Sequence, residues 1–144
     1  MTDLSDIYSE FRLSTRSYPP AIPLTESDYF TIFKSGVRQL FIDTGRRTLY
    51  IPSELTESTQ QISADIGNDE QNYILIASRI KYFQQMLADA SASGKIAQHK
   101  TDALTVVFGN KGVSDLSTMI ADLKSDLLRA FHKMPRFAEG ISGA

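Results

Sequence analysis

The chain has no cysteine, no tryptophan and only two histidines. Without thiols there can be no disulfide, no thiolate metal site and no cysteine nucleophile, and the redox compartment is left open. His99 and His132 lie far apart and have no carboxylate cluster around them, which gives no pattern for a transition-metal centre. An excess of either charge is also missing. Fifteen Lys and Arg face seventeen Asp and Glu, a formal charge of −2, so bulk attraction to nucleic acid is not expected. No apolar run approaches the roughly 18 residues that span a bilayer, and the opening MTDLSDIYSEF is acidic and lacks the apolar stretch of a signal peptide. These absences lead us to expect a protein of the cytosol or of a soluble assembly, without a membrane partner.

What is present is ordinary globular material. At 144 residues, 42% of them hydrophobic, the chain suits a single domain, 1–144, that would bury roughly 70% of its unfolded surface. Its longest helical pattern is NDEQNYILIASRIKYFQQMLADAS, residues 68–91. Tyr73, Ile76, Ala77, Ile80, Phe83, Leu87 and Ala90 recur at steps of three and four, one stripe of a helix roughly 35 Å long. Tyr82, Met86, Ile74 and Leu75 widen that stripe, which predicts contact with more than one neighbour, another subunit being one candidate. Asn68, with Gln71 after it, is the expected cap and Gly94 the expected stop.

The other elements are arranged around this helix. Residues 2–13 read as a short helix with Thr2 as its cap and Leu4, Ile7, Tyr8 and Phe11 on one face. Residues 14–24 hold Pro19, Pro20 and Pro23, which favour an extended arm. Thr25 and Asp28 form a capping box for a helix with Phe30, Phe33, Val37, Leu40 and Phe41 inward. Gly36 is a point of close backbone approach, and Gly45 a left-handed terminator. Residues 46–51 suggest a short strand or extended connector, and Ser53 a cap for a weaker helix through Leu55 and Ile62. Val106, Val107 and Phe108 favour a second strand before the turn at 109–112. Ser114 or Asp115 should cap a last helix with Leu116, Met119, Ile120, Leu123, Leu127, Ala130 or Phe131, and Met134 inward and Pro135 at its end. The tail, residues 135–144, is too poor in apolar residues to fold alone. The expected fold is mainly α: a small helical domain with two long amphipathic helices, a short extended or β segment and flexible termini.

No reaction chemistry is legible. His99 with Asp102 has the elements of a base and its orienting carboxylate, but lies in a polar connector where a solvated histidine is the commoner outcome. His132 suits the negative end of its helix. Asp65, Asp69 and Glu70 suit the positive end of the long helix and lack calcium-loop spacing. The Gly-Asn-Lys-Gly turn at 109–112 falls short of a phosphate loop. Arg46 with Arg47 and Lys133 with Arg136 are the notable basic groupings, too sparse for a phosphate-tracking stripe. Phe108 and Phe137, in extended or terminal stretches, suit interface anchors. No catalytic, cofactor or metal residue is assigned. An enzyme would need converging polar groups, and a helical regulatory or nucleic-acid-binding module would need a basic face.

From Asn68 onward the order is a long amphipathic helix, a polar link, the extended stretch KTDALTVVFGNKG, and a second helix DLSTMIADLKSDLLRAFHKM ending in an aromatic and basic turn. This order resembles the small head-to-tail connector proteins, or neck adaptors, of tailed bacteriophages. The most distinctive part of the resemblance, which covers about half the chain, is Thr101-Asp102-Ala103-Leu104-Thr105-Val106 between two helices. It implies a non-enzymatic virion protein, assembled in the host cytoplasm, that closes a ring of about twelve copies between portal and a further neck or tail-completion protein. DNA would meet it only in passing through the ring lumen. Residues reaching neighbours would come from the extended stretch, Leu104, Val106, Val107 and Phe108, and from the tail, Arg136, Phe137 and Ile141. The arm at 14–24 and residues 46–62 have no counterpart in the resemblance.

Overall fold

The computed structural model describes residues 1–20, 22–45, 54–96 and 112–134, with the side chains of 90–96 and 112–115 left aside. Among the described residues the chain is mainly helical: β1 (Thr2–Asp3), α1 (Ser5–Thr15), α2 (Glu26–Asp43), β2 (Gln61–Ile62), α3 (Asn68–Ile96) and α4 (Gly112–Lys133).

α3 is the spine. Its 29 residues make a rod of about 44 Å, and both α2 and α4 lie along it while making little contact with each other. Two helix faces must therefore be apolar, which accounts for the wide stripe. Tyr73, Ile74, Ile76, Ala77, Ile80, Tyr82, Phe83 and Met86 are all buried. The neighbours of α3 in this structure are α1, α2 and α4 of the same chain. Gly94 does not end the helix, which runs on to Ile96. A glycine inside a helix costs only about 1 kcal/mol relative to alanine, too little to stop it by itself. The cap lies one residue before Asn68: Glu70 is buried and its Oε1 accepts from the Gly67 N–H at 3.3 Å.

α2 begins as its sequence predicts. The Thr25 hydroxyl accepts from the Asp28 N–H at 3.1 Å and the Asp28 carboxylate from the Thr25 N–H at 3.0 Å, a complete capping box. At the other end Gly45 sits at φ +74°, a left-handed conformation that glycine adopts without steric cost. Phe30, Phe33, Val37, Leu40 and Phe41 are inward. Gly36 is where α2 meets α3: a Cβ there would lie 2.8 Å from the backbone nitrogen of Ser78 and would overlap its hydroxyl. Glycine against serine is what lets the two backbones come so close.

The N-terminus departs from expectation. Thr2 is not a helix cap; it lies in β1, which pairs antiparallel with β2 in the register Thr2 to Ile62 and Asp3 to Gln61. Its hydroxyl donates to the Ala64 carbonyl at 2.7 Å and accepts from the Ile66 N–H at 3.0 Å, so it ties down the approach to α3. α1 starts three residues later, with the Asp3 carboxylate accepting from the Ser5 N–H at 2.9 Å and Leu4 fully buried. The terminal ammonium pairs with Asp65. The helix expected from Ser53 to Ile62 is also absent among the described residues, 54–62. Within 54–62 the chain forms turns, because the Thr56 hydroxyl accepts from the Thr59 N–H at 3.2 Å and contacts the Thr59 hydroxyl at 2.8 Å. Short hydroxyl side chains compete in this way for the backbone groups a helix would use. Leu55 and Ile62, set on turn and strand, still reach the core.

An aromatic cluster joins α1, α2 and α3: Tyr8 meets Phe33 edge-on at 5.1 Å, Phe11 meets Tyr82 at 6.2 Å, and Tyr82 meets Phe83 at 5.4 Å. Tyr18, just after the turn that follows α1, packs edge-on against Phe83 at 5.3 Å and accepts through its carbonyl from the Tyr82 hydroxyl at 2.6 Å. The first residues of the expected arm are thus fastened to α3. α4 begins at Gly112, before either expected cap, and ends at Lys133 ahead of Pro135. Its Leu116, Ile120, Leu123, Ala130 and Met134 are buried.

Candidate functional site

Because α2 and α4 both flank α3, a furrow runs between them with α3 as its floor. It consists of two depressions that share residues, and a third continues it along α2 and α3. The first, about 320 Å³, is lined by Asp43 of α2, Tyr73 of α3 and Lys124, Leu127, Leu128 and Phe131 of α4. The second, about 160 Å³, shares Lys124 and Leu127 with the first and adds Gln39, Ala77, Ile80, Lys81 and Gln84. The third, about 340 Å³, shares Lys81 and Gln84 with the second and extends to Thr31, Ile32, Ser35, Gln85 and Ala88. On the α2 wall these residues recur at about four-residue steps, from Thr31 to Asp43, which sets a length of roughly 18 Å.

Helical periodicity explains why these side chains meet. Tyr73, Ala77, Ile80 and Gln84 fall on one line of α3, adjacent to but distinct from the face that holds Tyr82 and Met86. Tyr73, Ala77 and Ile80 are nearly fully buried and form a closed apolar floor, while Leu128 is 60% exposed on the α4 rim. Ile42, next to Asp43, is 47% exposed.

The polar groups have defined roles. The Tyr73 hydroxyl donates to Asp43 Oδ2, and Gln39 Nε2 donates to Asp43 Oδ1 at 2.8 Å. Burial, together with the hydrogen bond and charge of Asp43, holds the Tyr73 phenol well above its ordinary range. Tyr73 therefore stays neutral, with Asp43 as the anionic end of the groove. Lys81 and Lys124 supply positive charge along the middle. Phe131 packs on Tyr73 at a ring separation of 6.3 Å and closes the end. Such a groove offers an apolar bed with carboxylate at one end and ammonium groups further along.

The residues singled out in the sequence fall elsewhere or outside the described chain. Leu104, Val106, Val107, Phe108, Arg136, Phe137 and Ile141 lie outside the described residues, as do His99, Asp102, Arg46, Arg47, the 46–51 strand and the tail at 135–144. His132 is exposed on the last turn of α4, edge-on to Phe131 at 5.9 Å, with Lys133 beside it in sequence. Asp65 and Glu70 serve different ends, the first pairing with the N-terminus and the second capping α3. No family model, curated protein or solved structure was found to match the chain. Sequence reasoning missed the groove. Its signal was faint: Ala77 and Gln84, small or polar, on the same line of α3 as Tyr73 and Ile80.

Proposed function

We propose that the protein is a non-enzymatic structural adaptor in the neck of a tailed bacteriophage, forming a ring of about twelve copies between portal and a tail-side protein. Support comes from the order of elements after Asn68 and, above all, from the open α2–α3–α4 groove with its exposed Leu128 rim. A helical body with a peptide-sized trough along one face suits a part that holds segments of its neighbours. In this reading the stretch Leu104 to Phe108 pairs by its edge with a partner, and residues 135–144 become ordered on one. Each contact forms only where burial outweighs the entropy lost on ordering. Particle assembly with Val107→Asp and with residues 136–144 deleted is the test. Loss of head-to-tail joining in either variant is the expected result; normal particles from both would refute the assignment of these contacts.

A further inference from the structure

We propose that the groove between α2 and α4 receives the C-terminal segment 136–141 of a neighbouring copy of this chain. The proposal rests on the ring reading and names the contact that would build the ring. The order of chemistry along the segment, Arg136, Phe137, Glu139, Ile141, matches the order along the groove from its Phe131 end. There, carboxylate comes first at Asp43, then the aromatic and aliphatic depression under Leu128, then the Lys124 ammonium, then the apolar floor at Ala77 and Ile80.

The exit point of the chain favours a neighbour's groove over its own. Met134 is 4% exposed, which pins the end of α4 one turn beyond Phe131, at the end of the trough. To enter its own groove in that order the chain would have to reverse between Met134 and Arg136, a shorter span than the four residues of a β-turn. A segment at one place that fits a groove at another makes a heterologous contact, and repetition of such a contact closes a ring when the rotation allows.

The test is charge reversal in trans, using full-length chains and native mass as the readout. Lys124 is exposed, so Lys124→Glu leaves the core untouched, and unchanged far-ultraviolet circular dichroism would establish that the fold is kept. The wild-type chain is expected to self-associate, and Lys124→Glu and Glu139→Lys each to weaken association about tenfold or more by opposing like charges. Mixing the two variants should restore association, because each groove then meets a tail of opposite charge. Leu128→Asp, which needs no charge partner, should weaken it as well. A wild-type chain that stays monomeric would overturn the proposal. So would single substitutions without effect, or restoration in the doubly substituted chain but not in the mixture, which is the mark of a tail in its own groove. Portal is absent from these measurements, so the two readings fail separately. A chain that is monomeric alone yet adds to portal keeps the neck assignment and loses the groove contact; one that associates through residues 124 and 139 yet ignores portal does the reverse.

Discussion

Ser78 carries a hydroxyl into the tightest point of the molecule, where α3 crosses α2 at Gly36, and among the described residues that hydroxyl has no hydrogen-bond partner. A buried hydroxyl without a partner costs about 1–3 kcal/mol, so Ser78→Ala should be neutral or raise stability by up to about 1 kcal/mol in urea unfolding. Gly36→Ala should do the opposite, losing about 1–3 kcal/mol, because its Cβ would meet the Ser78 backbone and backbone cannot move aside as a flexible side chain can. The tyrosines make a second test at this scale. Burial pushes the phenols of Tyr8, Tyr73 and Tyr82 upward, and hydrogen-bonded or charged neighbours, Asp43 for Tyr73 and Tyr29 for Tyr82, push two of them further. In the unfolded chain each would ionise near the ordinary tyrosine value of 10.0. A raised folded value means that the stability these groups contribute is fully present below pH 10 and is lost as pH rises beyond it. Alkaline unfolding should therefore set in just above pH 10, and Tyr73→Phe with Tyr82→Phe should flatten that pH dependence, as followed by tyrosine absorbance and denaturant midpoint.

At the scale of elements, what could be read from sequence divides by the kind of interaction that decides it. The α2 capping box, the Gly45 terminator and the α3 stripe depend on neighbours three or four positions away, and these stood in the sequence as they stand in the fold. β1 could not be read there, because its reason lies about sixty residues along the chain: Thr2 is extended so that its hydroxyl can bridge Ala64 and Ile66, and Leu4 follows it into the core. The turns at 54–60 were half legible. The abundance of Thr and Ser warned against a helix, but that Leu55 and Ile62 would reach the core without one depends on tertiary placement. Thr2→Ala should cost about 1–3 kcal/mol, since it removes one partner from each of two hydrogen bonds and strands the buried Ile66 N–H. Thr25→Ala should cost about 1 kcal/mol through loss of the cap. A difference between these two variants in amide exchange would locate the effect: the first should loosen residues 60–66 and the second the start of α2.

For the whole molecule, the long-range arrangement supplies what no single element contains. Each helix shows its own stripe, but a groove exists only because α2 and α4 take opposite flanks of α3 and leave its Tyr73, Ala77 and Ile80 line as a floor between them. The stretch at 104–108 and the tail at 135–144, where sequence reasoning placed the partner contacts, lie outside the described residues; the groove is a place within the described fold where such a segment would fit. In the proposed reading, a body of this kind gains its organisation when copies are joined. The most direct measurement is the native mass of the purified full-length protein, alone and mixed with portal protein. The account predicts a closed assembly of about a dozen copies that adds to portal as a unit. A protein that remains monomeric at every concentration, and whose mass portal leaves unchanged, would contradict it.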